Sequence, residues 1–299
     1  LRHAEKIYEH FGARPAVFRN TELIYNDEIG RRLSKLGFTG VLADGVDRIL
    51  GSRSPNYVYQ HPDQEHLRIL LRNYRLSDEI GFRFIEQGKT LTAEKYMEWL
   101  HEVPRNHDVI TLGMDYETFG EHLKKETGIF RFLEDLLVRM SKSKTFDMAT
   151  ASMAMISHKP KDDLSVPNFI SWADQERDLS AWLGNDMQRD AFDSLTQLEI
   201  DVKNLGDDQI LSHWRELQTS DHFYYMSTKK GSDGNVHSYF SPFPSPYEAF
   251  ITYMNVLTDF SMRIKILTAG SKEKSLSLKG LRDMQLQTTG SRMTMLSAR

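Results

Sequence analysis

Two acids close the stretch Val109-Ile110-Thr111-Leu112-Gly113-Met114-Asp115-Tyr116-Glu117-Thr118-Phe119-Gly120-Glu121-His122. It opens with apolar, β-prone residues, as a strand buried on both faces does, and turns abruptly to acid, aromatic and glycine. Asp115 and Glu117 stand two positions apart and point to one side of an extended chain. A carboxyl at the tip of a buried strand is partly desolvated, which raises its pKa toward the range of a general acid. The same spacing equally describes two solvated loop acids, and it leaves both readings open. A second gathering of polar groups, Arg19-Asn20-Thr21-Glu22-Leu23-Ile24-Tyr25-Asn26-Asp27, follows the short apolar run Ala16-Val17-Phe18. Barrels and open α/β sheets place their chemistry just beyond the C-terminal ends of parallel strands.

The elements that would position these acids alternate. Periodicity predicts helices over 2–11, 27–36, 92–102 and 128–142, with Thr92 as an N-cap and Gly12 and Gly37 as stops. Between them, 16–20, 40–43, 67–71 and 109–114 read as strands, predicted to be adjacent and parallel. Composition shifts near 158–170, which reads as a linker. Beyond it the pattern is helical over 179–204, 207–218 and 246–267. The aromatic-dense segment from Phe223 to Tyr247 holds rings that stack on sugars or, more commonly, pack a helical core. The last thirty residues read as a poorly ordered tail, beginning at about 270. The organisation predicted is 1–160 as one domain and 161–299 as a helical second.

Composition removes several classes of chemistry. The 299 residues carry a net charge of −4, with no basic footprint for nucleic acid. There is no cysteine, so disulfides, thiolate metal sites and cysteine nucleophiles are excluded, in keeping with a cytoplasmic protein. No apolar run approaches a membrane span. The sequence contains no GxGxxG, P-loop or HExxH, so neither a nucleotide cofactor nor a metal is predicted.

Three stretches together resemble one family, the glycoside hydrolases of family 57, in its α-amylase-type branch. Phe18-Arg19-Asn20-Thr21-Glu22-Leu23-Ile24-Tyr25 is similar to the family's nucleophile motif. Leu112-Gly113-Met114-Asp115-Tyr116-Glu117-Thr118-Phe119-Gly120-Glu121-His122 is similar to its acid/base motif. Ser171-Trp172-Ala173-Asp174-Gln175-Glu176-Arg177-Asp178-Leu179-Ser180-Ala181-Trp182-Leu183-Gly184-Asn185 resembles a later motif in which an acid and a tryptophan contact the glucan. The resemblance runs through about residue 267. It implies the C-terminal part of an incomplete (β/α)7 barrel followed by an all-helical domain, with the earlier strands upstream of Leu1.

The resemblance also implies a retaining α-glucan hydrolase, α-amylase-like, acting on α-glucan or maltooligosaccharide without a cofactor. Glu22 takes the nucleophile position and Asp115 the acid/base position. Trp182 and Trp172 are candidate stacking platforms for a glucose ring. Asp178 and His122 are candidates for sugar hydroxyls, and Asn20 and Arg19 are candidate donors to the nucleophile. Glu117 would raise the Asp115 pKa by like-charge repulsion, or be a solvated rim acid. Arg177 could pair with Asp174. An α-glucan transferase and a non-catalytic glucan-binding homologue are the alternatives, and this chain alone could be inactive.

Overall fold

The computed structural model describes residues 2–269. The tail expected from about 270 lies outside the described residues. The chain divides into two compact units, 1–179 and 180–299.

The first unit is built on a four-stranded sheet: β1 (Val17–Arg19), β2 (Gly40–Asp44), β3 (Val58–His61) and β4 (Gln64–Arg72), in the order β1-β2-β4-β3. β1, β2 and β4 run parallel, and β3 runs antiparallel against β4. The period-2 alternation of β2 and β4 feeds both faces. Val41, Ala43, Ile69 and Leu71 join Leu33 and Phe38 on one face, with Leu164, Val166 and Ile170. Leu42 and Leu70 join Val58 and Met155 on the other. Apolar packing on both faces suits the parallel part of the sheet. A third cluster forms where helices Tyr74–Gly81, Ala93–Glu102 and Ile129–Ser141 meet through Ile80, Tyr96, Leu100, Ile129, Phe132 and Leu136. The Thr92 cap is formed, its hydroxyl accepting from the Lys95 amide at 3.2 Å.

Two expectations for this unit need correction. Residues 109–114 are not a strand: they touch the sheet through a single parallel bridge between Thr111 and Arg72. The reason is occupancy of the flank. β3 takes the side of β4 as far as Leu70, so only the last two residues of β4, Leu71 and Arg72, remain for the incoming segment. The Thr111 carbonyl also accepts from the Asn73 amide at 2.8 Å, which fixes the segment's height at the strand tip. The second correction concerns 158–170. Ile170 pairs with Tyr25 and Asp163 with Gln60, and Asp27 accepts from Ser165 Oγ at 2.8 Å and the Val166 amide at 2.7 Å. Its polar residues and Pro160 and Pro167 suggested a linker, but Leu164, Val166 and Ile170 supply buried core.

The second unit is helical throughout its described residues. Its long closing helix, 246–269, buries Ala249, Tyr253, Leu257, Phe260 and Ile264, a stripe at helical spacing. Helix Asp186–Thr196 opens with a capping box, Asn185 with Gln188. Phe223 is buried against Phe192 and Tyr253, whereas Tyr239 and Tyr247 are exposed. Among the described residues, no helix is long and apolar enough to cross a membrane.

Candidate active site

The Glu22 turn begins as β1 ends. Asn20 caps the single 3-10 turn Thr21–Leu23, accepting from the Thr21 amide at 3.1 Å and donating to the Ile24 carbonyl at 3.0 Å. Asn20 therefore braces the turn through both ends of its amide. Glu22 and Leu23 adopt left-handed φ values of 52° and 50°. Such backbone costs about 1–3 kcal/mol per non-glycine residue and persists only where the surroundings impose it. Here the next segment imposes it. The Glu22 carbonyl accepts from the Trp172 amide at 3.1 Å and from Ser171 Oγ at 3.0 Å. The Glu22 carboxylate accepts from Trp172 Nε1 at 2.7 Å. Among the described residues, the other non-glycine positions at positive φ are Asp174 and Arg177 in this same region, and Gln87.

Trp172 was expected as a platform for sugar. Its indole N–H donates to Glu22, and guanidinium carbons lie 4.9 Å (Arg19) and 5.2 Å (Arg72) from its ring centroid. The cation–π geometry orients the indole.

The Asp115 arm is held more lightly. The Gly113 amide donates to Ser77 Oγ at 3.1 Å, and Arg72 Nε donates to the Gly113 carbonyl at 2.6 Å. Asp115 precedes the 3-10 turn Tyr116–Thr118 and stays solvent-accessible, although the protein crowds it. Its carboxyl is held above the ordinary aspartate range, by desolvation first and by the Glu117 charge second. Arg19, His122 and Arg72 pull in the opposite direction. Glu117 and His122 therefore lie within electrostatic reach of Asp115, as does Arg19, the residue over the Trp172 ring.

Sequence reasoning missed what lies beneath. Asp44 and Arg72 are register partners at the tips of β2 and β4. Arg72 bonds Asp44 at 3.3 Å and also Asp78. Arg177 bonds Asp44 and approaches Asp78 at 3.7 Å. Burial pushes the Asp44 carboxyl up, and the Arg177 and Arg72 guanidiniums pull it back. Arg177 thus reaches Asp44 and Asp78, and its guanidinium carbon lies 4.0 Å from the Tyr74 ring centroid. Gly45 is required where β2 leaves the sheet, since a Cβ there would come within 2.5 Å of the Arg72 carbonyl. Opposite charges ending two apolar strands were the signal available in the sequence.

A cavity of about 80 Å³ is lined by Arg19, Leu23, Arg72, Gly113, Met114 and Trp172, among others. It is far smaller than the roughly 300 Å³ of a typical ligand pocket. Asp178 is partly buried near the end of this unit. Trp182 belongs to the second unit, where it is 5% exposed and packs on Tyr224 with centroids 6.3 Å apart. Little of its indole face remains for a ligand.

Comparison with known proteins places the chain in a family. Residues 1–167 match the family described as "Glycosyl hydrolase family 57". A Methanocaldococcus jannaschii protein named "Putative alpha-amylase" is 46% identical over 283 residues, covering 90% of this chain. The chain spans only 60% of that relative's length. Among solved structures, the GH57-type branching enzyme of Pyrococcus horikoshii superposes with a TM-score of 0.59 at 14% identity, over 90% of this chain and 63% of that one. The α-amylase AmyC of Thermotoga maritima gives 0.52 at 14% identity, over 89% and 65%. At such identities these two speak for the fold alone, a mixed α/β architecture with a parallel sheet and many helices. The match over more than half of the chain and the close relative settle the family: the chain belongs to glycosyl hydrolase family 57.

Proposed function

We propose that this chain carries the catalytic carboxyl pair of a retaining α-glucan hydrolase of α-amylase type, with its sheet forming part of an incomplete (β/α)7 barrel. Glu22 is the nucleophile and Asp115 the acid/base. The observation that supports this most directly is the opposed setting of the two groups. Glu22 accepts the Trp172 indole N–H at 2.7 Å, a bond that favours its ionised form. Asp115 is biased toward its protonated form by desolvation and by Glu117. Retaining glycosidases need this asymmetry.

The Glu22 carboxylate attacks the anomeric carbon while the bond to the leaving sugar's oxygen breaks, and Asp115 gives that oxygen its proton. Asp115, now ionised, takes a proton from water. The water oxygen attacks the anomeric carbon, and Glu22 departs as carboxylate. In the liganded protein the carboxyls are expected about 5–5.5 Å apart. Glu117 and His122 form the rim around the acid, with Asp178 further along the chain.

The test is trapping with a 5-fluoro-α-glucosyl fluoride in the longest natural polypeptide that contains these residues, followed by peptide mass spectrometry. The adduct is expected on Glu22; an adduct on another residue refutes the assignment. Product analysis on maltooligosaccharides separates hydrolysis, which shortens the pool, from transfer to an acceptor sugar, which also lengthens chains.

A further inference from the structure

We propose that Arg72 is a positioning residue that locks the nucleophile arm and the acid arm to one another from beneath. The inference rests on the roles given above to Glu22 and Asp115. Arg72 is the last residue of β4, and its side chain is only 6% exposed. Every part of its guanidinium is engaged in a different direction. Nε donates to the Gly113 carbonyl at 2.6 Å, two residues before Asp115. One terminal nitrogen bonds Asp44 at 3.3 Å, and the other bonds Asp78. Its guanidinium carbon lies 5.2 Å from the centroid of the Trp172 ring, whose N–H holds Glu22. The Arg72 stem also packs on Gly113, where a Cβ would meet Cδ at 3.6 Å.

Arg72 is ion-paired to Asp44 and Asp78, so it supports the site without a direct bond to either carboxyl of the reaction, although its charge still reaches Asp115. Arg72 and Arg177 face Asp44 and Asp78, two cations against two anions in one buried group. The pairing is internally balanced, which buried charges require. The geometry needs arginine. A planar fork delivers three donors in fixed directions and a flat face for an indole, whereas a lysine ammonium is a point charge on a flexible four-carbon stem. Because Arg72 touches Trp172 and the Gly113 carbonyl, its displacement shifts both arms together.

The experiment compares Arg72→Lys with the wild type in the longest natural polypeptide containing the chain, with Glu22→Gln and Asp115→Asn alongside. Rates of the wild type and of the Arg72 and Asp115 variants are normalised to active sites titrated with the fluorosugar trap, so an unfolded fraction does not enter; Glu22→Gln, which forms no adduct, is normalised to folded protein by circular dichroism. The expected result is a kcat loss of about 10²-fold, the scale of a misplacement near 1 Å, with KM changed by less than about threefold. The loss should persist on an aryl maltoside with a good leaving group, because attack as well as protonation is misaligned. The Asp115→Asn loss should shrink on that substrate. The near-UV circular dichroism of Trp172, isolated by difference from Trp172→Phe, should also change in Arg72→Lys.

Should Arg72→Lys fail to fold, Arg72→Met with Asp78→Asn removes one charge of each sign and leaves Asp44 with Arg177. The same losses are expected. Folded variants with wild-type kcat and an unchanged Trp172 signal, while Glu22→Gln is inactive, overturn the role of Arg72 alone. An active Glu22→Gln overturns the catalytic reading beneath it.

Discussion

The two arms of the site are held in opposite ways. The Glu22 turn is over-determined: two consecutive left-handed residues, a cap from Asn20, two bonds to the Glu22 carbonyl and one to its side chain. The Asp115 segment bridges the sheet at Thr111, is tied at Gly113, exposes Asp115, Tyr116 and Glu117, and returns to the core at Thr118 and Phe119, with no left-handed residue before Gly120. The difference fits the roles proposed for the two groups. A nucleophile must meet one carbon along one line, so fixed geometry is useful in every turnover. An acid/base must give a proton to a leaving oxygen and later take one from water, so it needs solvent access and a tuned pKa more than rigidity. Strain is spent where position matters, and desolvation with like charge where protonation matters.

The largest expected effect breaks the rigid arm. Glu22→Gln keeps the shape of the turn but removes the carboxylate, so turnover should fall by about 10⁴-fold or more, the scale seen when an enzymatic nucleophile is lost. Steady-state hydrolysis of maltooligosaccharides with no fluorosugar adduct checks it. Asp115→Asn should cost about 10²–10⁴-fold on the same substrates. On an aryl glycoside whose leaving group needs little protonation, the first step should largely recover and the glycosyl-enzyme should accumulate. An equal loss on both substrates would assign Asp115 a structural role.

A smaller effect sharpens the account of the rigid arm. Trp172→Phe keeps a ring beside Arg19 and Arg72 but deletes the N–H that Glu22 accepts. A hydrogen bond to a charged group is worth about 1.5–3 kcal/mol, so kcat/KM should fall roughly 10- to 100-fold. A stacking platform for sugar would respond differently, with the change carried mainly by KM. The split between kcat and KM thus separates the role the geometry supports from the one expected of this tryptophan at the outset.

Trp172 also shows where the sequence was legible and where it was not. The β2 and β4 strands and the helix beginning at Thr92 follow from alternation, periodicity and caps, which are local signals. Asp115 stood out because it follows an apolar run, whereas Glu22 was singled out only by the resemblance of its stretch to the family's nucleophile motif. What the sequence hid is pairwise. Val58–His61 carries no strong alternation, yet it flanks β4 and thereby displaces 109–114 from the ladder. Trp172 reads as an amphipathic ring until the Glu22 turn is brought against it. Asp44 and Arg72 are unremarkable ends of two strands until parallel register sets them side by side. In each case the deciding partner is distant in the chain, and residue type alone does not name it.

The smallest expected effect tests how the mobile proton is tuned. Desolvation is the first cause of the raised Asp115 carboxyl and Glu117 the second, while Arg19, His122 and Arg72 oppose. Asp115 must be protonated to begin the reaction, so kcat/KM should fall as pH rises through its pKa. Glu117→Gln removes a negative charge that disfavours ionisation. The pKa therefore drops, and the alkaline limb of the kcat/KM profile should move to lower pH. Arg19→Gln removes a positive charge that favours ionisation, and its limb should move to higher pH. Because desolvation remains in both variants, neither should bring Asp115 back to an ordinary aspartate. The comparison is internal, since both substitutions lie within electrostatic reach of one carboxyl and carry opposite signs. Limbs that move the same way, or do not move, would mean that the alkaline limb reports another group and that the Asp115 arm is not tuned by the charges around it.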